Sequence, residues 1–400
     1  MMQIDPEALN IVEVLKGAGH TAYFAGGCVR DMLLKRACKD FDVATSATPE
    51  EIFQLFDHCL EVGALFGVVH IVINKKNYEV ATFRSESGYS DGRHPDHVER
   101  STPEKDAERR DFTINGMFYD PKEKSVLDFV GGVEDLEKRV IRAIGDPTER
   151  FKEDRLRLLR AVRFSAALNF EIEPKTQAAM RLEAENLFPS VSPERIYEEL
   201  TKMAQGRNFS QALLALFDVG LLEVIFPNLD RSSVEEGARW VQKLEGPHPT
   251  VLKLALLMLK YDVDKMKEWL GAFFVKKADK KRLMVLGEFL ELLEKKPSKQ
   301  TLAHLFALDE SSDCLQTLFV AYPEKVDQLL SLQQELKVHV ERIRDKRPFI
   351  TAADLMQLGI QPGELMGQLL SESERIAIEE GITEKMALLK QLQSLEIWPC

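Results

Sequence analysis

The stretch Ala22-Tyr23-Phe24-Ala25-Gly26-Gly27-Cys28-Val29-Arg30-Asp31, followed nine residues later by Asp40-Phe41-Asp42, decides how this chain is read. An apolar run leads into two glycines, the pattern of a strand-to-helix turn where missing side chains let the backbone approach a phosphate. Asp40 and Asp42 alternate with Phe41 and Val43, and a period of two sets both carboxylates on one face of a short strand with the apolar residues on the other. Two acids held side by side repel unless a cation lies between them, and magnesium bridging phosphate oxygens is the usual occupant. Together the turn and the acid pair point to phosphoryl or nucleotidyl transfer. Just beyond, Thr48-Pro49-Glu50-Glu51 supplies an N-cap, a first-turn proline and early acids, which predicts a helix from Pro49 to about Phe56.

Working outward, the first 130 or so residues alternate strand-like and helix-like patterns. Val62 to Gly67 reads as a turn, and Val68–Ile73 and Tyr78–Phe83 read as a hairpin joined by Asn74-Lys75-Lys76-Asn77. Glu79 is a charge on an otherwise apolar and β-branched strand, either an edge residue or a third acid beside the Asp pair. Ser85 to Arg100 carries turn residues and charges without periodicity, so a long mobile loop is expected. From Asp135 onward the β signal nearly vanishes. Glu149–Ala167, Pro174–Leu187, Pro193–Gln205, Phe209–Val219, Val234–Leu244, Pro249–Tyr261, Asp279–Glu294 and Glu324–Arg344 all show helical spacing between Gly, Pro or Asn breaks.

Composition bounds the class. At 400 residues, 44% hydrophobic and 30% charged, the chain has the make-up of a well-cored protein of two to four domains. No apolar run reaches the ~18 residues of a membrane span, and Met1-Met2-Gln3-Ile4-Asp5-Pro6 lacks the basic and apolar regions of a signal peptide. A cytoplasmic protein is expected, which five scattered cysteines without a Cys-x-x-Cys pair also fit. A net charge of −12 argues against a nucleic-acid partner only as a sum. Arg and Lys crowd between Arg100 and Arg163, a local basic face suited to an RNA end or a nucleoside triphosphate.

Two clusters in that segment carry further chemistry. Arg109-Arg110-Asp111-Phe112-Thr113-Ile114-Asn115 sets two guanidinium groups and an acid before a β-branched run, at an expected strand-to-helix boundary; adjacent arginines are preferred partners of triphosphate oxygens and ribose hydroxyls. Arg150-Phe151-Lys152-Glu153-Asp154-Arg155-Leu156-Arg157, continuing to Arg160-Ala161-Val162-Arg163-Phe164, reads as one helix with Asp154, Arg157 and Arg160 on one stripe. Asp only accepts hydrogen bonds and Arg only donates them. Cytosine and adenine each present an amino donor beside a ring-nitrogen acceptor and fit that pair. Uracil and guanine present the reverse and leave desolvated polar groups unpaired at about 1 to 3 kcal/mol each. A protein surface could thus accept C and A and refuse U and G without a nucleic-acid template.

These three motifs, in this order, resemble those of the bacterial class II tRNA nucleotidyltransferases, the CCA-adding enzymes, which with bacterial poly(A) polymerases belong to the polymerase-β-like nucleotidyltransferase superfamily. Pro193-Glu194-Arg195-Ile196-Tyr197-Glu198-Glu199-Leu200 is a weaker fourth element. The resemblance implies an α+β fold: a nucleotidyltransferase head with a mixed β-sheet over 1–140, then an all-α neck with the base-recognition helix over 141–205, body over 206–295 and tRNA-binding tail over 296–400. It implies that Asp40 and Asp42 hold Mg2+, that Gly27, Arg30 and Arg110 contact the nucleotide, that Asp154 and Arg157 read the base, and that Arg160 and Arg163 support phosphate and pocket. Gly26, Glu79 and Asp111 are its secondary candidates, Asp111 near the ribose.

The activity implied is template-independent addition of CCA to the tRNA 3′ end from CTP and ATP, with release of pyrophosphate in a two-metal, in-line transfer. The partners are tRNA, CTP and ATP, with no membrane, as a monomer or a homodimer. An A-adding or CC-adding tRNA enzyme and a poly(A) polymerase share the same site, and a non-catalytic RNA-binding protein could share the scaffold. The loop from Arg84 to Val98 is near full length, whereas CC-adding relatives lack much of it. Arg93-His94-Pro95 and Asn115-Gly116 depart from the Arg-Arg-Pro and Asn-Ala expected of relatives.

Overall fold

The computed structural model describes residues 4–399 apart from 39, 62–66, 90–91, 93–94, 274–275 and 296. The first strand, β1 (Ala22–Ala25), follows a helix, Pro6–Gly17, whose N-terminus is capped by the Asp5 side chain and whose Ile11, Val12 and Leu15 are fully buried. Then come β2 (Asp42–Thr45), β3 (Cys59–Leu60), β4 (Val68–Ile73), β5 (Lys76–Thr82), β6 (Arg84–Ser87), β7 (His97–Arg100), β8 (Phe118–Asp120) and β9 (Ser125–Leu127). A mixed sheet runs in the order β3-β4-β5-β2-β1-β8-β9, antiparallel throughout except where β2 pairs parallel with β5. The alternation read from the sequence is visible in the packing. Phe24 meets Phe41 edge to face at 5.3 Å, while Tyr23, Phe83 and Phe118 cluster together, Phe83 and Phe118 5.8 Å apart.

The helix after β2 runs Pro49–Leu55 with a reciprocal capping box between Thr48 and Glu51. The hairpin is as expected except that β5 starts at Lys76. Only Asn74 and Lys75, both at positive φ (51° and 66°), form the turn, which suits the twist of the flanking strands. The expected turn at Val62–Gly67 lies outside the described residues save for Gly67.

Three expectations need correcting. First, the flanks of Ser85–Arg100 are not loop: β6 and β7 pair antiparallel, Arg84 with Arg100 through Ser87 with His97. This ribbon rests on backbone hydrogen bonds and ion pairs rather than on apolar alternation. Arg93 and His94 lie outside the described residues. Second, Arg109–Asn115 is not a strand-to-helix boundary. A helix, Pro103–Glu108, ends there, Phe112 makes a single bridge to Ala143, and Thr113–Asn115 forms one 3-10 turn. Third, Glu149–Ala167 is not one helix. Pro147–Glu153 stops at Asp154, whose backbone is extended (φ −146°, ψ 104°), and a second helix runs Leu156–Leu168. The Asp154 carboxylate accepts the Leu156 amide at 3.0 Å, the local side-chain bond with which Asp competes against helix. Pro249–Tyr261 and Glu324–Arg344 are likewise interrupted, into Thr250–Ala255 with a 3-10 turn and into Val326–Glu335 and Lys337–Arg344.

The chain divides into two compact units, 1–234 and 235–400. The division falls within the 206–295 segment expected as a body. The reason is that Phe209–Asp218 packs on Leu156–Leu168, which also packs on Pro193–Ala204. The second unit is helical, with a core around Leu355, Leu369, Ala377 and Leu392 between the helices Ala352–Gln357, Glu364–Glu379 and Lys385–Leu392. Within it Arg342 donates two hydrogen bonds to Glu374, at 2.6 and 2.8 Å. No helix among the described residues is long and apolar enough to cross a membrane.

Candidate active site

Gly26 ends β1 at φ 72° and opens the helix Gly27–Leu33. An L side chain rarely adopts that φ, and a Cβ on Gly26 would lie 3.0 Å from Arg110 Nη1, so both conformation and close approach require glycine. β2 lies antiparallel to β1 with Ala25 opposite Asp42, which brings the carboxylate to the mouth of the glycine turn. The sheet therefore builds what the sequence separates by a helix.

Asp42 is largely buried. That burial, with Glu79 and Asp40 adding negative charge and Arg110 only partly offsetting them, pushes its pKa up from 3.8 to about 6. Glu79 arrives by topology. β5 runs parallel to β2 with Val80 beside Val43, so the residues one step earlier on each strand, Glu79 and Asp42, are neighbours. Glu79 is half-exposed and is paired with His70 of β4, 3.9 Å away. Asp40 is exposed just before β2. No preformed cluster of three metal-ligating side chains occurs among the described residues. Still, an all-oxygen set containing a buried carboxylate destabilised by like charges fits a hard divalent cation completed by phosphate oxygens.

Opposite the acids stand guanidinium groups, each tied by a buried partner. Asp106, 1% exposed, accepts from Arg109 Nε at 2.8 Å and Arg110 Nη2 at 2.9 Å. Burial works against its charge, yet Arg110 and Arg109 hold it below the usual carboxylate range. Glu86 of β6 also accepts from Arg109, at 3.1 Å, which docks the ribbon on the same group. Arg30 donates to Asn115 Oδ1 at 2.7 Å, Asn115 donates to Asp111 Oδ1 at 3.1 Å, and Asp111 Oδ2 accepts from Arg160 Nε at 2.8 Å. For Asp111 too burial raises the pKa, but Arg160, Asn115 and the Phe112 amide win and lower it. The Phe164 ring sits among three cations, with Arg163, Arg160 and Arg30 at 4.2, 5.3 and 5.4 Å from its centre.

Asp154 occupies the break between the two helices, and Arg157 opens the second, donating to Glu153 at 2.5 Å, to the Arg150 carbonyl at 2.8 Å and to the Arg109 carbonyl at 3.3 Å. A cavity of about 500 Å³ joins these walls. Gly26, Gly27, Arg30, Asp42 and Arg110 line it on the sheet side. Asp111, Asp154, Arg157, Arg160 and Arg195 line it on the other. Of the residues singled out from sequence, Asp40, Glu79 and Arg163 are not among its lining; Arg163 is tied to Glu199 at 2.6 Å. Asp106 carries structure that no motif in the sequence pointed to, and Asn115 and Phe164, though inside the motifs, had no role assigned from sequence. Asp106 could have been found from its spacing of three and four residues before Arg109 and Arg110. Asn115 and Phe164 act across the tertiary fold and give no such signal.

A glycine turn facing an acid pair on a mixed sheet, with a wall of anchored arginines, defines a nucleotidyltransferase head. Residues 22–142 match the Poly A polymerase head domain, and residues 169–232 match the probable RNA and SrmB-binding site of polymerase A. The chain is 35% identical to the CCA-adding enzyme of Pediococcus pentosaceus over 99% of both chains, and 32% identical to that of Lactobacillus helveticus over 98% of this chain and 97% of the relative. The crystal structure of the Bacillus stearothermophilus CCA-adding enzyme in complex with CTP superposes with a TM-score of 0.78 at 25% identity, covering 98% of this chain and 99% of that one. The chain belongs to the CCA-adding enzyme family.

Proposed function

We propose that this protein adds C, C and A to the 3′ end of tRNA from CTP and ATP, releasing pyrophosphate. The observation that carries the reading is that Asp42 and the Asp154 and Arg157 pair line one cavity, large enough for a nucleoside triphosphate. Relatives at 32% and 35% identity over nearly the whole chain are CCA-adding enzymes.

In this reading Asp40 and Asp42, with Glu79 beside them, hold divalent cations, which we take to be Mg2+; bound there, the cations supply Lewis-acid stabilisation of charge on the transferring phosphate and on the 3′ oxygen. The chain's own residues do the rest. Gly26 and Gly27 let the triphosphate approach the backbone at the N-terminus of Gly27–Leu33. Arg30, Arg110 and Arg160, fixed by Asn115, Asp106 and Asp111, donate to phosphate and ribose oxygens without having to reorganise. Arg163 acts one step back, through Phe164. Asp154 accepts from the base amino group and Arg157 donates to the ring nitrogen, which selects C and A. Residues 1–140 serve as head, 141–205 as neck, and 206–295 and 296–400 as the body and tail that hold the tRNA, in the cytoplasm where that substrate is.

The test is incorporation of each labelled triphosphate, singly, into tRNA ending before CCA, into tRNA ending after CC, and into unrelated RNA. The reading expects CTP on the first and ATP on the second only. ATP alone on any RNA would indicate a poly(A) polymerase, and no incorporation at all a binding protein.

A further inference from the structure

Arg195 lines the cavity, and the nucleotide-transfer reading gives it no role. It lies in the first turn of the helix Pro193–Ala204, where a cation opposes the positive end of the helix dipole, and Ser192 before it makes no side-chain cap. Both features count against the residue as a support for the helix. What it faces is Asp154. Arg195 Nη2 approaches Asp154 Oδ2 at 3.4 Å and Oδ1 at 3.5 Å, a single nitrogen shared between two oxygens at long range. Its Nη1 is buried with no hydrogen-bond partner, while the side chain lines the cavity. Asp154 Oδ1 already accepts the Leu156 amide at 3.0 Å. The pair is therefore half-made: a guanidinium and a carboxylate that could join through two parallel bonds are held in a looser contact, and a buried charged donor is left unpaired.

We infer that Arg195 is the positioning residue for base selection: when a nucleotide enters, Arg195 closes on Asp154 in a two-nitrogen pair that holds the carboxylate turned with its remaining acceptor positions toward the base. The consequence is chemical. A carboxylate held by a cation refuses the carbonyl that uracil and guanine present at that place. A carboxylate freed from the cation can rotate away from the base, and the refusal weakens. Arg195 thus acts on specificity through Asp154 and touches neither phosphate nor metal. This inference rests on the reading of Asp154 as the residue that meets the base.

The experiment measures kcat/KM for CTP, ATP, UTP and GTP on tRNA ending before CCA and after CC, for the intact protein and for Arg195→Met, Arg195→Lys, Asp154→Ala and the double variant Asp154→Ala with Arg195→Met. Arg195→Met is expected to cut discrimination against UTP and GTP by roughly fivefold or more. Arg195→Lys, which keeps the charge but cannot form the fork, should recover part of the loss, and it carries the test should the Met variant fail to fold. Because Arg195 acts through Asp154, the double variant should discriminate no worse than Asp154→Ala alone. Unchanged discrimination in both Arg195 variants, or losses that add in the double variant, would overturn the inference. If the intact protein itself incorporates UTP and GTP as readily as CTP and ATP, it is the base-reading role of Asp154 that has failed.

Discussion

Two acids on opposite walls of the cavity, Asp42 and Asp111, are both largely buried and yet titrate in opposite directions. Asp111 is the more deeply enclosed and is held below the ordinary carboxylate range, because Arg160, Asn115 and the Phe112 amide overcome its burial. Asp42 is pushed up to about 6, because burial is reinforced by Glu79 and Asp40 and only partly answered by Arg110. Burial alone does not set the state of a carboxylate; the supply of positive charge does. On the Asp111 wall the chain supplies its own cation and the ion pair serves as scaffold. On the Asp42 wall it supplies further acids, and the compensating charge has to come from outside.

The contrast breaks most visibly at Asp42→Asn. Nucleotide incorporation should fall by on the order of 10²-fold or more, since the charge that recruits the cation is lost. The metal-free fold should nevertheless become more stable, by up to roughly 3 kcal/mol at neutral pH, the cost of ionising a group whose pKa stands at about 6 against 3.8. Activity assays and thermal melting with and without Mg2+ check both halves; added Mg2+ should raise the melting temperature of the parent protein and leave the variant unmoved. The opposite wall should behave oppositely. Asp111→Asn leaves Arg160 without its partner and should lower stability by roughly 3 kcal/mol, seen in denaturant unfolding.

The same contrast has a pH signature. A carboxylate raised on folding stabilises below its unfolded pKa and loses that contribution as pH rises through about 6, so melting temperature in chelator should climb as pH falls from 7 toward 4 through Asp42. A carboxylate lowered on folding stabilises above its unfolded pKa, so below pH 4 the Asp111 contribution is lost and the trend reverses. Asp154→Ala should relax base choice by roughly 1 to 3 kcal/mol, measured as UTP and GTP incorporation, and lower stability in denaturant unfolding by about 1 kcal/mol, because the Leu156 amide and Arg195 lose their acceptor. The smallest effect belongs to Glu79→Gln, which removes one repelling charge. The Asp42 titration, followed by carboxylate NMR, should move down toward 3.8 without reaching it, because burial and Asp40 remain.

The parts of this fold that were legible in the sequence are those fixed by near neighbours. The glycine turn, the Thr48 capping box and the β4–β5 hairpin each follow from a handful of adjacent residues. The β6–β7 ribbon was hidden because its pairs are polar, such as Ser85 with Glu99, and no apolar period marks them. The break at Asp154 was hidden because Phe151, Leu158 and Val162 keep a helical period across it, whereas the break is made by one Asp side chain on the Leu156 amide and steadied by Arg195, 41 residues on. The candidate site divides the same way. The residue types and their order were readable. That Arg160 belongs to Asp111, 49 residues away, and that Arg163 turns to Glu199 instead of the cavity, depend on how helices pack.

The most direct test of the account is a crystal structure of the protein with CTP and Mn2+, the manganese located by its anomalous signal. Metal is expected against the Asp40 and Asp42 carboxylates, triphosphate over the Gly26 and Gly27 turn, and the cytosine amino group facing Asp154 across the same cavity. Metal bound elsewhere, or a base resting away from Asp154 and Arg157, would contradict the account.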